Sequence, residues 1–359
     1  MNYQVWIDND RGERLVSLQN LADIDYVGTL NNPGWFKVGV PELAIEPSRD
    51  LIVEIWRQPD GAAPILDSLG FLRKWKKSRT SVTLEGPGKL NLLNRRIVAY
   101  NAGSAEADQS DYADDMLKEI FDHNLGADAT DADRRWSGLG LTSAAQVSLA
   151  PSIPLAFSRR NVLDVMQDVC NISRQSGTEL YFDLVPAWSA GRLTLQFVTY
   201  IGQPGTDRTG PSNTFVLAET WGNMDNAEIE YDYTNELTVV YAGGQGEEAD
   251  RVVEKRTDAT RLAASAWNRI EGWVDARNAA TTAAVQSAGD AALAEARPRL
   301  RITGRLMDVK GSLYGKDWYI GDRVKVRIDN QEYSALIRTV HVSRVASTDT
   351  VDASVEIDL

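Results

Sequence analysis

Apolar and polar residues alternate over much of this chain, and the alternation is cleanest near its end. Val324, Val326 and Ile328 recur at every second place, and Val351, Val355 and Ile357 share one parity, as strands with one buried face require. Gly321-Asp322 and Asp329-Asn330 supply turns on either side of the first of these runs, and Tyr333 to Val345 is long enough to bend across a barrel. The predicted unit is a closing β-meander. Because the sequence ends on its last strand, no appended domain is expected.

The beginning of the chain has the same character. Short β-like runs at Tyr3–Ile7, Ile24–Leu30, Trp35–Val40, Leu51–Trp56, Ile65–Trp75 and Ser81–Leu84 are separated by turn residues such as Asn31-Asn32-Pro33-Gly34 and Gln58-Pro59-Asp60-Gly61. Runs of this length and spacing predict an antiparallel barrel or sandwich, a first β-domain over residues 1–98.

The period then changes. Tyr100 to Asp111 is small and polar and predicts a loop; Ser110 can cap a helix whose stripe is Tyr112, Met116, Leu117, Ile120 and Phe121, with Gly126 at its end. Asn161 to Gln175 predicts a second helix with Val162, Val165, Met166, Val169 and Ile172 inward. Glu179–Val185 and Arg192–Tyr200 predict a hairpin. Together these make an α+β domain over residues 99–213. Strand patterns resume at Phe215–Leu217, Ile229–Tyr233 and Leu237–Tyr241. They break off for an insertion, residues 251–297, that carries an Ala-rich helix from Asn278 to Ala296 stopped by Pro298. The second β-domain is therefore expected to be discontinuous, residues 214–250 and 298–359. The fold class is mainly β with α+β insertions, built on two antiparallel β-barrel domains.

Composition and charge narrow the function classes. With 359 residues and no apolar run of membrane-spanning length, the chain reads as a multidomain soluble protein; Met1-Asn2-Tyr3-Gln4 lacks a signal peptide's pattern, so synthesis in the cytoplasm is expected. A formal charge of −13 argues against general nucleic-acid binding. It suits either simple solubility or an acidic wall past which DNA slides without sticking. Five of the seven residues from Arg73 to Arg79 are basic around Trp75. They can grip a single strand or form a solvated hairpin tip, and in a chain otherwise acidic the second is expected.

Candidate chemistry is sparse. Cys170 lies among apolar residues and reads as a buried thiol, and His123 and His341 have no ligand partner nearby. Asp128, Asp131 and Asp133 can offer oxygen ligands to Ca²⁺, but they lack the alternation of an EF-hand loop and are followed by Arg134 and Arg135. Gly243-Gly244-Gln245-Gly246 is not followed by Gly-Lys-Ser/Thr, and neither Gly-x-Ser-x-Gly nor His-Glu-x-x-His occurs. No catalytic, cofactor-binding or metal-binding residue is assigned, and no enzyme activity is expected.

Several stretches resemble siphophage tail-tip and baseplate hub proteins, the family of the central hubs of tailed phages. They are the closing run from Trp318; Glu85-Gly86-Pro87-Gly88-Lys89-Leu90-Asn91-Leu92-Leu93-Asn94-Arg95-Arg96-Ile97-Val98; the Asn161-Val162-Leu163 helix start; Asn235 through Tyr241 and the glycines to Arg251; and Arg269-Ile270-Glu271-Gly272-Trp273-Val274-Asp275-Ala276-Arg277 before the Ala-rich helix. The resemblance implies a virion structural protein located at the tail tip. It implies a homotrimer in which two tube-like barrels per chain give six similar units, fitting a threefold hub to a sixfold tail tube. It also implies distal tail or tube rings above, tip or fibre proteins below, and a role as plug and conduit in genome ejection. Two alternatives stand beside it. A host-receptor or glycan-binding module is suggested by Trp136, Trp188 and Trp221, and a tail-borne cell-wall hydrolase would use a pair among the many carboxylates.

Overall fold

The computed structural model describes residues 2–99, 107–157, 159–247, 250–279, 281–307, 309–329, 331–345 and 348–358. The first β-domain begins with β1 (Asn2–Asp8), β2 (Arg14–Leu18), β3 (Asp23–Thr29) and β4 (Asn32–Val40). It continues with β5 (Ile52–Gln58), β6 (Ile65–Phe71), β7 (Lys74–Lys77) and β8 (Val82–Pro87). One sheet has the order β2-β1-β5-β6, and β3-β4-β8-β7 faces it. Tyr3, Val5, Ile7, Val53 and Ile55 from the first sheet and Ile24, Tyr26, Phe36, Val38 and Leu84 from the second fill the space between them.

The continuous run expected over Ile65–Trp75 is two strands in two sheets. Arg73 N–H bonds to the carbonyl of Glu85 and the chain turns the corner there. Gly86 allows that corner: a β-carbon on it would lie 2.0 Å from the carbonyl oxygen of Phe71. Strand β8 leads into a single helical turn, α1 (Asn91–Asn94), with Leu90, Leu92 and Leu93 buried as their spacing predicts.

The middle of the chain holds β9 (Ala107–Tyr112), α2 (Ala113–Asn124), β10 (Leu141–Ser143), β11 (Ser152–Phe157), α3 (Val162–Gln175), β12 (Leu180–Ser189) and β13 (Arg192–Ile201). Two expectations are corrected. Residues 100–106 of the predicted loop lie outside the described residues, but Ala107–Tyr112 is a strand paired with β11. The helix after it starts at Ala113 with Tyr112 in the capping position and no side-chain cap, so Ser110, a strand residue opposite Pro154, cannot cap it. Helix α3 begins as predicted, with Asn161 Oδ1 accepting from Leu163 N–H at 2.9 Å. Both helices bury their stripes against β12 and β13, where Phe121 stacks on Phe197 at 4.7 Å.

The remainder comprises β14 (Val216–Ala218), β15 (Met224–Asp232), β16 (Val239–Gly243), β17 (Val253–Thr257), α4 (Ala259–Leu262), β18 (Glu271–Asp275) and α5 (Thr282–Glu295). It closes with β19 (Arg299–Leu306), β20 (Arg323–Ile328), β21 (Gln331–Val345) and β22 (Thr348–Asp358). Strand β16 pairs with β17 and β18, not with β15, and α5 packs on that three-stranded sheet. The helix is shorter than its Ala-rich stretch because Thr281 caps its start. Strands β14, β20, β21, β22, β19 and β15 follow one another as neighbours. Asn223, just before β15, reaches back to β14, its amide bonding Ala218 N–H and the Val216 carbonyl.

Candidate functional site, a continuous sheet with two open edges

Strands from the two ends of the chain join in one sheet. The second half of β21 pairs antiparallel with β3, from Thr339 opposite Thr29 to Val345 opposite Asp23. Among the described residues this produces one ten-stranded sheet whose main path is β15-β19-β22-β21-β3-β4-β8-β7, with β14 and β20 branching from β21. The branch exists because β21 is 15 residues long and its first half is taken by the β20 hairpin, while a register shift between Ile337 and Thr339 bends it toward β3.

Behind the seam, buried polar groups fasten the elements together. Tyr26 on β3 donates to Asp67 Oδ2 at 2.5 Å and Tyr314 donates to Asp67 Oδ1 at 2.6 Å. Arg57, fully buried, donates to the Tyr314 carbonyl and to the Tyr3 hydroxyl at 3.3 Å. Burial and the Asp67 carboxylate hold the Tyr26 and Tyr314 hydroxyls well above their usual range, so both stay protonated donors. The predicted Gly321-Asp322 turn is a second fastening. Gly321 has φ +88°, and Asp322 accepts from Thr206 N–H at 2.7 Å, Tyr319 N–H at 2.9 Å and Arg208 Nε at 2.6 Å. Of the turn expected after β20, Asp329 has φ 52° and Asn330 lies outside the described residues.

The other face of the sheet is mostly polar, and its fixed charges alternate by strand on either side of the β21 strand, which contributes His341. In order come Glu228, Glu230 and Asp232 on β15; Arg299, Arg301 and Arg305 on β19; Asp352 on β22; His341 on β21; and Asp23 and Asp25 on β3. Lys37 on β4, Glu85 on β8, and Lys74 and Lys76 on β7 complete the row. Neighbouring columns pair across strands: Arg301 with Glu230 at 3.3 Å, His341 with Asp25 at 2.6 Å, Lys37 with Asp23 at 3.8 Å and Lys74 with Glu85 at 2.5 Å. Opposite charges facing each other on adjacent strands favour this register.

The residues singled out from sequence fall as follows. The basic run is strand β7 and the hairpin turn that follows it, closed by Ser78 and Ser81. Cys170 is buried, which pushes its thiol up to about 12. Asp128, Asp131 and Asp133 are exposed, and Asp131 caps a turn by accepting from Asp133 N–H at 3.0 Å. Arg134 and Arg135 instead reach the carbonyls of Ile97 and Ala129. Trp188 lies on Trp56 at 5.4 Å, and Trp136 and Trp221 sit under Arg96 and Arg327. Trp136 packs against the α+β core, whereas Trp188 and Trp221 remain 41% and 56% exposed. A cleft between β5, β6 and the α2–β10 connection encloses about 220 Å³; two acids line it, Asp10 and Asp50, and Asp50 is paired with Arg73 at 3.0 Å and Arg95 at 2.8 Å.

Sequence reasoning did not mark the seam, nor the exposure of Trp273 and Trp267, 55% and 93%. Tryptophans at irregular spacing give no warning of it.

Solved phage tail proteins share this fold. A tail protein from Neisseria meningitidis MC58 matches with a TM-score of 0.59 at 15% identity, covering 100% of this chain and 97% of that one. The 43 kDa tail protein of prophage MuSo2 from Shewanella oneidensis matches with a TM-score of 0.56 at 11% identity, covering 98% of each. Prophage tail protein gp18 from Listeria monocytogenes EGD-e matches with a TM-score of 0.51 at 10% identity, covering 99% of this chain and 95% of that one. No curated protein matches the sequence. The class so defined is a mostly β phage tail or baseplate protein. Within it, the chain belongs to the family of Siphovirus ReqiPepy6 Gp37-like proteins, whose match spans residues 47–355.

Proposed function

We propose that this protein is the hub of a phage tail tip: a homotrimer that fits a threefold tip to the sixfold tail tube and serves as plug and conduit during genome ejection. The observation that carries the reading is the unbroken sheet through both β-domains. On this reading the part of the sheet from each end of the chain is one wall segment, so that three chains supply six. The mostly polar face, with acidic columns beside its basic ones in a chain of net charge −13, suits a lumen past which DNA moves without specific binding. Partners are then tail or tube rings above and tip or fibre proteins below.

The division of labour follows the chain. Residues 1–98 and the discontinuous 214–250 and 298–359 form the wall, with β16 lying against the insertion 251–297, and residues 99–213 form the outer α+β unit. The protein acts as a structural part of the virion and not as an enzyme; membership in a tail-protein family supports this over the hydrolase alternative. Immunogold labelling of intact particles with an antibody to this chain tests it. Label at the distal end of the tail is expected, and label confined to the capsid or to the tail shaft overturns the reading.

A further inference from the structure

With 51 acids to 38 lysines and arginines, acid partners are in excess along this chain, yet at the junction of α1 with α3 two arginines lack one. Arg95, Arg96 and Ile97 leave the α1 turn beside Asn161, the cap of α3; Ile97 bridges to Asn161, and Val162 N–H bonds the Arg96 carbonyl at 3.0 Å. Arg134 arrives from the α2–β10 connection and donates to the Ile97 carbonyl at 2.6 Å and to Asn124 Oδ1 at 2.8 Å. An open pocket of about 340 Å³ lies among them, with all three arginines, Ile97, Asn161 and Asp133 in its wall. Arg95 is paired with Asp50, which it shares with Arg73. What Arg96 touches is neutral: it donates to the Arg95 carbonyl at 3.3 Å and lies 3.9 Å over the Trp136 ring. Neither Arg96 nor Arg134 has an ion pair among the described residues, and Nη2 of Arg95 and Nε of both others are buried without an acceptor there. Burial, then the nearby Arg134 and Arg95, hold the Arg96 guanidinium below its usual range, and burial does the same to Arg134 against the pull of Asp131.

We propose that this pocket binds a carboxylate side chain on an acidic peptide segment of an adjoining tail protein. The proposal draws on membership in a tail-protein family for the neighbour and depends on neither the trimer nor the conduit. Gathering like charges in a half-buried place opposes folding, and a carboxylate set among the guanidiniums offsets that cost. Arg96 is held in place over Trp136, and a guanidinium so positioned offers paired N–H donors that match the fork of a carboxylate. Ile97 is 52% exposed beside the charges, so an acid flanked by an apolar side chain covers more of this surface than a bare ion does. A nucleic-acid strand suits it less. Its phosphates need a run of bases along their path, whereas the exposed Asp128, Asp131 and Asp133 follow on the same connection and repel them.

Fluorescence polarisation with the full chain tests this, using a labelled peptide with the core Glu-Leu-Glu, its amide counterpart Gln-Leu-Gln and a single-stranded oligothymidylate. The acidic peptide is expected to bind about tenfold more tightly than the amide one. Arg96→Met keeps an unbranched side chain over Trp136 and removes the charge, so it is expected to weaken the acidic peptide by about tenfold, with Arg96→Lys between the two. The unfolding temperature of Arg96→Met is not expected to fall, because the repulsion from Arg134 and Arg95 is relieved. Asp133→Asn removes the acid from the pocket wall and is expected to tighten the peptide by about twofold. Equal binding of the two peptides, or no binding of the acidic one up to about 1 mM, overturns the proposal. It is overturned too if Arg96→Met unfolds at a lower temperature with its peptide affinity kept, which makes Arg96 a packing residue. Oligothymidylate that binds more tightly than the peptide, and is lost in Arg96→Met, assigns the pocket to nucleic acid instead. Each of these outcomes leaves the hub reading, tested by the position of the label on the particle, untouched.

Discussion

The buried acids Asp8 and Glu54 make the pH dependence of stability a sharp test. They lie on the outward face of β1 and β5, the face toward Trp188, and are 1% and 0% exposed. One cation serves both: Arg14 reaches Glu54 Oε2 at 2.6 Å but Asp8 Oδ1 only at 3.6 Å, while Trp56 Nε1 donates to Glu54 at 2.7 Å. Both oxygens of Asp8 and Oε1 of Glu54 lack a donor among the described residues, and a proton held between the two acids is the donor that fits. Burial first, and the neighbouring Glu54 second, push the Asp8 carboxyl up from 3.8 to about 7.

The folded pKa is raised above the unfolded one, so the folded state keeps a proton that the unfolded chain releases. Stability therefore falls as pH rises from about 4 through about 7, and the loss is complete above that. At ~1.4 kcal/mol per tenfold change in proton affinity the loss has a ceiling of ~4 kcal/mol. Asp8→Asn keeps the shape, supplies a permanent donor to Glu54 and gives up the weak attraction to Arg14. It is expected to stabilise the first β-domain by about 1–3 kcal/mol at pH 8 and to be nearly neutral at pH 5. Urea unfolding followed by tryptophan fluorescence reads this directly, since Trp56 touches both Glu54 and Trp188. An Asp8→Asn protein less stable than wild type at pH 8, with the deficit shrinking toward pH 5, would show that the pair is fully ionised and refute the reasoning.

Three further outcomes follow from the same packing. Asp322→Asn removes the charge that holds Arg208 and weakens acceptance from two backbone N–H groups, and is expected to cost about 3 kcal/mol, seen as a lower urea midpoint. Gly86→Ala places a β-carbon against the Phe71 carbonyl and within 2.9 Å of the Phe36 ring, so a loss of about 2–4 kcal/mol is expected by the same measurement. Cys170, buried with a thiol pushed up to about 12, is expected to resist a thiol reagent at pH 8 in the native protein and to react at once in denaturant.

Much of the local structure was legible because it is governed by period and caps: α3 with Asn161 at its start, the β12–β13 hairpin, the leucine turn of α1 and the strands of the closing meander. What escaped was non-local. Nothing in Ile65–Trp75 marks the corner at Arg73, because both halves alternate equally well and only the meeting of Gly86 with the Phe71 carbonyl makes the bend. Ser110 carries a better capping side chain than Tyr112, yet pairing with β11 claimed it as a strand residue. Alternation sets Asp8 and Glu54 on the face opposite the core, but it cannot tell a face met by solvent from one that is covered. The seam joins Asp23–Thr29 to Thr339–Val345, elements some 316 positions apart. Each strand announces a free edge, and neither announces which edge it meets.

The mass of the native particle tests the central claim most directly. In native mass spectrometry of the purified protein, alone and with the tail ring above it, a species of about 119 kDa is expected, three copies of 39.6 kDa. A single 39.6 kDa species under both conditions, or an even-numbered assembly, would contradict the account.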